Sequence, residues 1–335
     1  MDFKTFRLGK DAERDYCEDS LAQNGSGTRF AVADGVSRSF RPEFVSQYLT
    51  SRFVESDIST EVWPGHLQGV VGADLQEKWS ARVRDFLDGF EGLARMIQEQ
   101  RLQSVGPGAS TFCGVTLDEN SCSMDYAVLG DSCLFVLPEE GKWQVVTSCI
   151  TREVETGVEV DFTYTPACLV VGQPDCVFRE DWRTGSMPLA KGYIALMTDG
   201  ASQWFLDMLG TDGVRASEQL WDMLDDKEAF TDYVQAYRKN GTPLSDDIAI
   251  ILIRIGSTDT AEDVAAPSKA NLPAIIYHFP CLFLPPSCEE GLGMPSRQER
   301  LKETGLPEEE PYRQKKSSWN VFLNKINRLW PSKKN

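Results

Sequence analysis

Histidine is nearly absent from this chain. His66 and His278 are the two in 335 residues. A His-rich zinc site and a haem protein are not expected, and a Ser-His-Asp triad would have to use one of these two. Basic charge is also short: Lys and Arg number 34 against 51 Asp and Glu, a formal charge of −17. The broad basic face that a general nucleic-acid binder needs is therefore missing. The nine cysteines contain no Cys-x-x-Cys pair and are odd in number, which points to free thiols in a reducing, cytoplasmic compartment. The opening residues MDFKTFRLGK hold no apolar run, so no secretory leader is expected. What is present is a 41% hydrophobic, 25% charged chain, enough for one large domain with an appendage.

The character of the sequence changes near residue 256. Nine of the 17 prolines lie beyond it, a density that excludes long helices and central strands. Residues 1–256 are read as the folded domain and 257–316 as an irregular, Pro-rich linker. Within the linker an apolar patch at 272–284 is too short and too Pro-broken to span a bilayer; it is expected to dock as a strap. In 317–332 the apolar residues Trp319, Val321, Phe322, Leu323, Ile326, Leu329 and Trp330 fall mostly on one helical face. From Pro311 onward there are seven Lys/Arg and no Asp/Glu. A basic amphipathic helix of this kind binds a partner protein or an anionic membrane surface, unless it packs on its own domain.

The first 256 residues alternate strand-like and helix-like patterns. Strands are expected at Phe30–Ala33, Ser110–Val115, Met124–Leu129, Tyr193–Met197 and Ile248–Ile255, with helices from Pro42 to about Ser56 and from Leu75 to about Gln103. Three buried strands carry an acidic residue at an end: Asp34, Asp199 and Asp246. Strands bury their bodies and expose their ends, so such carboxylates can converge. Crowded carboxylates repel and raise one another's pKa, and a divalent cation removes that penalty. Oxygen ligands without histidine favour Mg²⁺ or Mn²⁺ over zinc.

Six motifs stand in order: Arg14-Asp15-Tyr16-Cys17-Glu18-Asp19-Ser20, Val32-Ala33-Asp34-Gly35-Val36, Gly108-Ala109-Ser110-Thr111, Leu129-Gly130-Asp131-Ser132, Leu196-Met197-Thr198-Asp199-Gly200 and Ser245-Asp246-Asp247-Ile248-Ala249. By these the chain resembles the metal-dependent protein serine/threonine phosphatases (the PPM family, type 2C class), in a bacterial-like form with a C-terminal extension. The resemblance covers about residues 5–255. It implies an α+β fold, a four-layer α-β-β-α sandwich of two antiparallel sheets flanked by helices. It implies hydrolysis of phosphoserine and phosphothreonine in a protein substrate, opposing a Ser/Thr kinase, by a water activated between two Mn²⁺ or Mg²⁺ ions. By motif match Asp34 would bridge the ions and the Gly35 carbonyl would bind one of them. Asp199 and Asp246 would hold the other, with Asp247 as the competitor of Asp246. Glu18 would act directly or through water with Asp19 beside it, Asp131 would join Asp199 at a third, weaker metal position, and Arg14 would grip the phosphate with its planar fork.

The chain departs from the family pattern at Val36-Ser37-Arg38, where the family often has His-Gly-Gly or Met-Gly-Gly. Cys17 stands where bacterial members have Asn, and Asp247 where Asn usually follows the last ligand. The altered segment and the appended tail motivate a second reading, a pseudophosphatase that binds a phosphoprotein or partner without turnover. A carboxylate two-metal nuclease is a poor electrostatic fit to so acidic a chain. The expected location is cytoplasmic, with the C-terminal helix as the one element that could place the protein at a membrane.

Overall fold

The computed structural model describes residues 1–10, 16–154, 157–162, 166–173, 177, 179–213, 215–239 and 246–256. Arg14, the linker 257–316 with its strap at 272–284, and the helix expected at 317–332 lie outside the described residues.

Two five-stranded antiparallel sheets stack face to face. The first runs in the order β1 (Asp2–Leu8), β14 (Ile248–Ile255), β13 (Gly192–Met197), β7 (Cys133–Pro138) and β8 (Gln144–Val146). The second runs β12 (Trp182–Pro188), β6 (Ser123–Leu129), β5 (Phe112–Asp118), β3 (Arg29–Ala33) and β2 (Ser20–Gln23). Two short pairs complete the strands: β9 (Ile150–Val154) with β10 (Gly157–Asp161), and β4 (Ala109–Ser110) with β11 (Leu169–Val170). Helices α1 (Pro42–Glu55), α2 (Trp63–Gln68), α3 (Val70–Asp88) and α4 (Gly92–Val105) lie on the side of the second sheet, and α5 (Asp199–Asp212), α6 (Arg215–Met223) and α7 (Lys227–Arg238) cover the first. This is the expected four-layer α-β-β-α sandwich.

The period-two rule of strands accounts for the layering. In β14 the residues Ile248, Ile250 and Leu252 join Trp204, Phe205 and Phe230 under the α5–α7 layer. Their alternates Ala249, Ile251 and Ile253 meet Phe30, Val32, Val115 and Val128 between the two sheets. A strand buried on both faces reads as a continuous apolar run, as IAIILI does here. On the outer face of the second sheet Phe53, Trp63 and Phe112 pack edge-on or tilted, with centroids 5.2 to 5.9 Å apart.

The long helix expected from Leu75 to Gln103 is two helices. The first is held by Val71, Leu75, Trp79, Val83 and Leu87, spaced by four on one buried face. It stops at Gly89, and Gly92 at φ 54 turns the chain into α4. A left-handed residue is open to glycine at no steric cost and breaks the helical path. Within α4 only Leu102 is buried, so the apolar period that suggested one helix does not reflect one buried face. The six cysteines among the described residues are free thiols. No helix among the described residues is long and apolar enough to cross a membrane.

Candidate functional site

The strand registers bring the acidic motifs to one edge of the sandwich. In the second sheet Ser20 pairs with Ala33, so Asp19 before β2 and Asp34 after β3 leave the sheet side by side. In the first sheet Met197 pairs with both Cys133 and Ile250, and Leu8 pairs with Ile248. The start of β7, the end of β13, the start of β14 and the end of β1 therefore share one edge. This edge carries Asp131, Asp199, Asp246 and Lys10.

Backbone bonds hold the carboxylates in place. The Asp34 carbonyl accepts from Thr111 N at 2.9 Å and from Ser110 Oγ at 2.7 Å, and Asp34 N donates to Thr111 Oγ1 at 3.3 Å. This is the task of the Gly-Ala-Ser-Thr motif. Thr198 pairs with Ala249 through its own N–H and through its hydroxyl, which sets Asp199 at the first turn of α5. There the helix dipole favours a negative charge, and Asp199 Oδ1 accepts from Gly200 N at 2.6 Å. Gly35 is required by space: a Cβ there would lie 2.5 Å from the Glu18 carbonyl oxygen and 3.0 Å from Pro42. Gly35→Ala is expected to push the Glu18 and Asp34 segments apart and destabilise the domain by about 1–3 kcal/mol. Urea denaturation measures this, and an unchanged midpoint would show that the two segments yield freely.

Asp34, Asp131 and Asp199 each offer an oxygen, and these atoms all lie within 4.8 Å of one another. Asp131 is buried, while Asp34 and Asp199 keep partial access to solvent. Asp19 is buried beside them, near Asp34 and Thr198, and among the described residues neither of its oxygens makes a hydrogen bond of normal geometry. Burial pushes Asp19 and Asp34 well above the usual carboxylate range, and for Asp34 the charges of Asp19, Asp199 and Asp131 push the same way. Burial, then Asp199, raises Asp131 to about 8. Burial and the charge of Asp246 raise Asp199 to about 6, against the Gly200 N–H and Lys10, which pull it down.

Glu18 is buried and Asp246 half exposed, and both are bonded to Lys10, whose Nζ donates to Glu18 Oε2 at 3.0 Å and to Asp246 Oδ1 at 3.2 Å. Burial works against the Lys10 charge, but Glu18 and Asp246 outweigh it and raise its pKa. Ser37, in the segment that departs from the family pattern, accepts from Lys10 Nζ at 2.8 Å and donates to Glu18 Oε2. Asp247 is occupied differently: Oδ1 accepts from Lys10 N at 2.5 Å and Oδ2 from Glu18 N at 2.6 Å. Both of its oxygens are thus committed to the backbone, whereas Asp246 Oδ1 accepts from Asp247 N at 2.8 Å and from Lys10. The sequence reading missed Lys10, Ser37 and the clamp formed by Asp247. A lysine next to a glycine carries no signal of its own.

The donor set fits hard divalent cations. Among the described residues the cluster contains oxygen ligands and no histidine, and buried oxygens of Asp19 and Asp131 have no hydrogen-bond partner there. Such groups are costly unless a cation or a proton satisfies them.

No curated protein matches the chain significantly. Among solved structures, the serine/threonine phosphatase Stp1 from Staphylococcus aureus is 16% identical over 76% of this chain and 95% of its own, with a TM-score of 0.45. The S. agalactiae serine/threonine phosphatase is 16% identical over 76% of this chain and 99% of its own, at 0.44. The catalytic domain of the serine threonine protein phosphatase PstP, in complex with 2 manganese ions, is 12% identical over 76% and 98%, at 0.44. The family model for protein phosphatase 2C matches residues 11–247, a span that takes in the Asp34, Asp131, Asp199 and Asp246 motifs and well over half of the sequence, and the chain belongs to that family.

Proposed function

We propose that this protein hydrolyses phosphoserine and phosphothreonine in a protein substrate and depends on two Mn²⁺ or Mg²⁺ ions. The observation that carries this reading is the convergence of Asp34, Asp131 and Asp199 beside a buried Asp19 whose oxygens lack hydrogen-bond partners. Asp34 and Asp199 would hold the ions together with Glu18, the Gly35 carbonyl and Asp246, and Asp131 would join Asp199 at a third, weaker position. When bound, such ions supply the positive charge that ionises a water near neutral pH and neutralises the phosphate. Asp34, beside Asp19 and with an oxygen within 4.8 Å of Asp131 and Asp199, would be placed to hold both ions. Thr111, Ser110 and Thr198 keep the carboxylates from moving when the charge around them changes. Arg14, four residues before Glu18 in the matching motif, would bind two phosphate oxygens through its planar fork.

The test is the initial rate of hydrolysis of a phosphothreonine peptide across a Mn²⁺ titration. Turnover that rises with Mn²⁺ and saturates is expected. A second reading, a pseudophosphatase, is favoured by one observation: Lys10 already neutralises Glu18 and Asp246. Tight Mn²⁺ binding with no turnover would establish it.

The family implies an opposing Ser/Thr kinase. The basic segment 317–332 supports attachment to a partner protein or an anionic membrane surface. Deleting residues 311–335 should then abolish that attachment and leave hydrolysis of a small phosphate ester unchanged. A lower melting temperature of the truncated protein would mean instead that the segment packs on the catalytic domain.

A further inference from the structure

Lys10 is held more firmly than a surface lysine. Its own N–H is bound by Asp247 Oδ1, and the carbonyl of Gly9 just before it accepts from Arg238 Nη1 at 2.6 Å. Arg238 Nη2 also donates to the Asp246 carbonyl at 2.6 Å, and the second oxygen of Asp247 holds Glu18 N. The root of the Lys10 side chain is thus fixed to the backbones of the two acidic residues that its ammonium reaches. Among the described residues the ammonium contacts Glu18, Ser37 and Asp246. Its side chain is 36% exposed, so its four-carbon stem can swing the charge out to solvent.

We propose that Lys10 is a built-in competitor for the divalent ions, because its ammonium occupies Glu18 and Asp246, two of the carboxylates that would hold them, and must withdraw before both ions bind. The inference rests on the reading of Glu18 and Asp246 as metal-binding residues. An ammonium and a divalent ion on the same carboxylates repel each other, and each weakens the hold of the other. The lysine therefore stabilises the acidic edge at low metal concentration and sets a threshold for loading.

The experiment uses the full 335-residue protein, stripped with EDTA and dialysed. Mn²⁺ binding is measured by calorimetry, and melting temperature with and without saturating Mn²⁺, for wild type, Lys10→Met and Lys10→Gln. Removing the charge should tighten Mn²⁺ binding at the ions that use Glu18 and Asp246 about tenfold. It should lower the melting temperature without Mn²⁺ and leave the Mn²⁺-saturated value at the wild-type level. Unchanged or weaker Mn²⁺ binding overturns the proposal. An equal drop in melting temperature with and without Mn²⁺ also overturns it, since that is a merely structural role. If neither variant folds, reductive methylation of the wild type decides: labelling of the Lys10 amine, read by peptide mass spectrometry, should rise on adding Mn²⁺. Unchanged labelling overturns the proposal while leaving the metal site intact. A wild type that binds no Mn²⁺ at all removes the metal-centre reading together with this one.

Discussion

Replacing Asp34 by Asn is expected to reduce Mn²⁺-dependent turnover by about a thousandfold or more. The same change should raise the melting temperature of the EDTA-treated protein by a few degrees. Both effects follow from charge at constant shape. The backbone of Asp34 is tied to Thr111 and Ser110 by three bonds that an Asn keeps. What is lost is one negative charge among Asp19, Asp131 and Asp199. That charge is what draws a cation into the cluster, and it is also what strains the cluster when no cation is bound. An Asn amide can in addition donate to Asp19, whose buried oxygens have no hydrogen-bond partner. Steady-state kinetics on the phosphothreonine peptide and calorimetric melting of the same preparations check the two halves. Wild-type turnover in the variant would move the chemistry away from this edge. A lower melting temperature would show that the carboxylate is structural rather than strained.

Chelation should make stability fall as pH rises. Asp19, Asp34, Asp131 and Asp199 all titrate above the ordinary carboxylate value of 3.8 in the folded protein, with Asp199 at about 6 and Asp131 at about 8. Between those values the folded state binds more protons than the unfolded state. Stability therefore declines with rising pH over that window. In EDTA the melting temperature should drop by on the order of 10 °C from pH 5 to pH 8. Saturating Mn²⁺ should flatten the curve, because a bound cation favours the ionised carboxylates. A melting temperature in EDTA that is constant or rises across this range would mean that these carboxylates are not crowded in solution. Lys10 does not reverse the trend, since its raised pKa keeps it charged throughout.

Much of this molecule is legible in its sequence. Apolar runs such as Ile248–Ile253 identify strands buried on both faces, because no other environment tolerates six consecutive aliphatic residues in an extended segment. The ordered Asp-Gly, Gly-Asp and Thr-Asp-Gly motifs identify the acidic edge, because each combines a turn with a carboxylate in a few adjacent residues. Two things were not legible. The break at Gly89–Gly92 was hidden because α4 keeps helical spacing of apolar residues while leaving Leu93, Met96 and Ile97 exposed. The cation of the site was hidden because its partners are remote: Lys10 meets Glu18, Ser37 and Asp246 at separations of 8, 27 and 236 residues. Residue type and local spacing thus determined which carboxylates could bind a metal and which strands would present them. Only the antiparallel pairing of β1 with β14, which sets Leu8 against Ile248, decided that a lysine just beyond the first strand would lie among them.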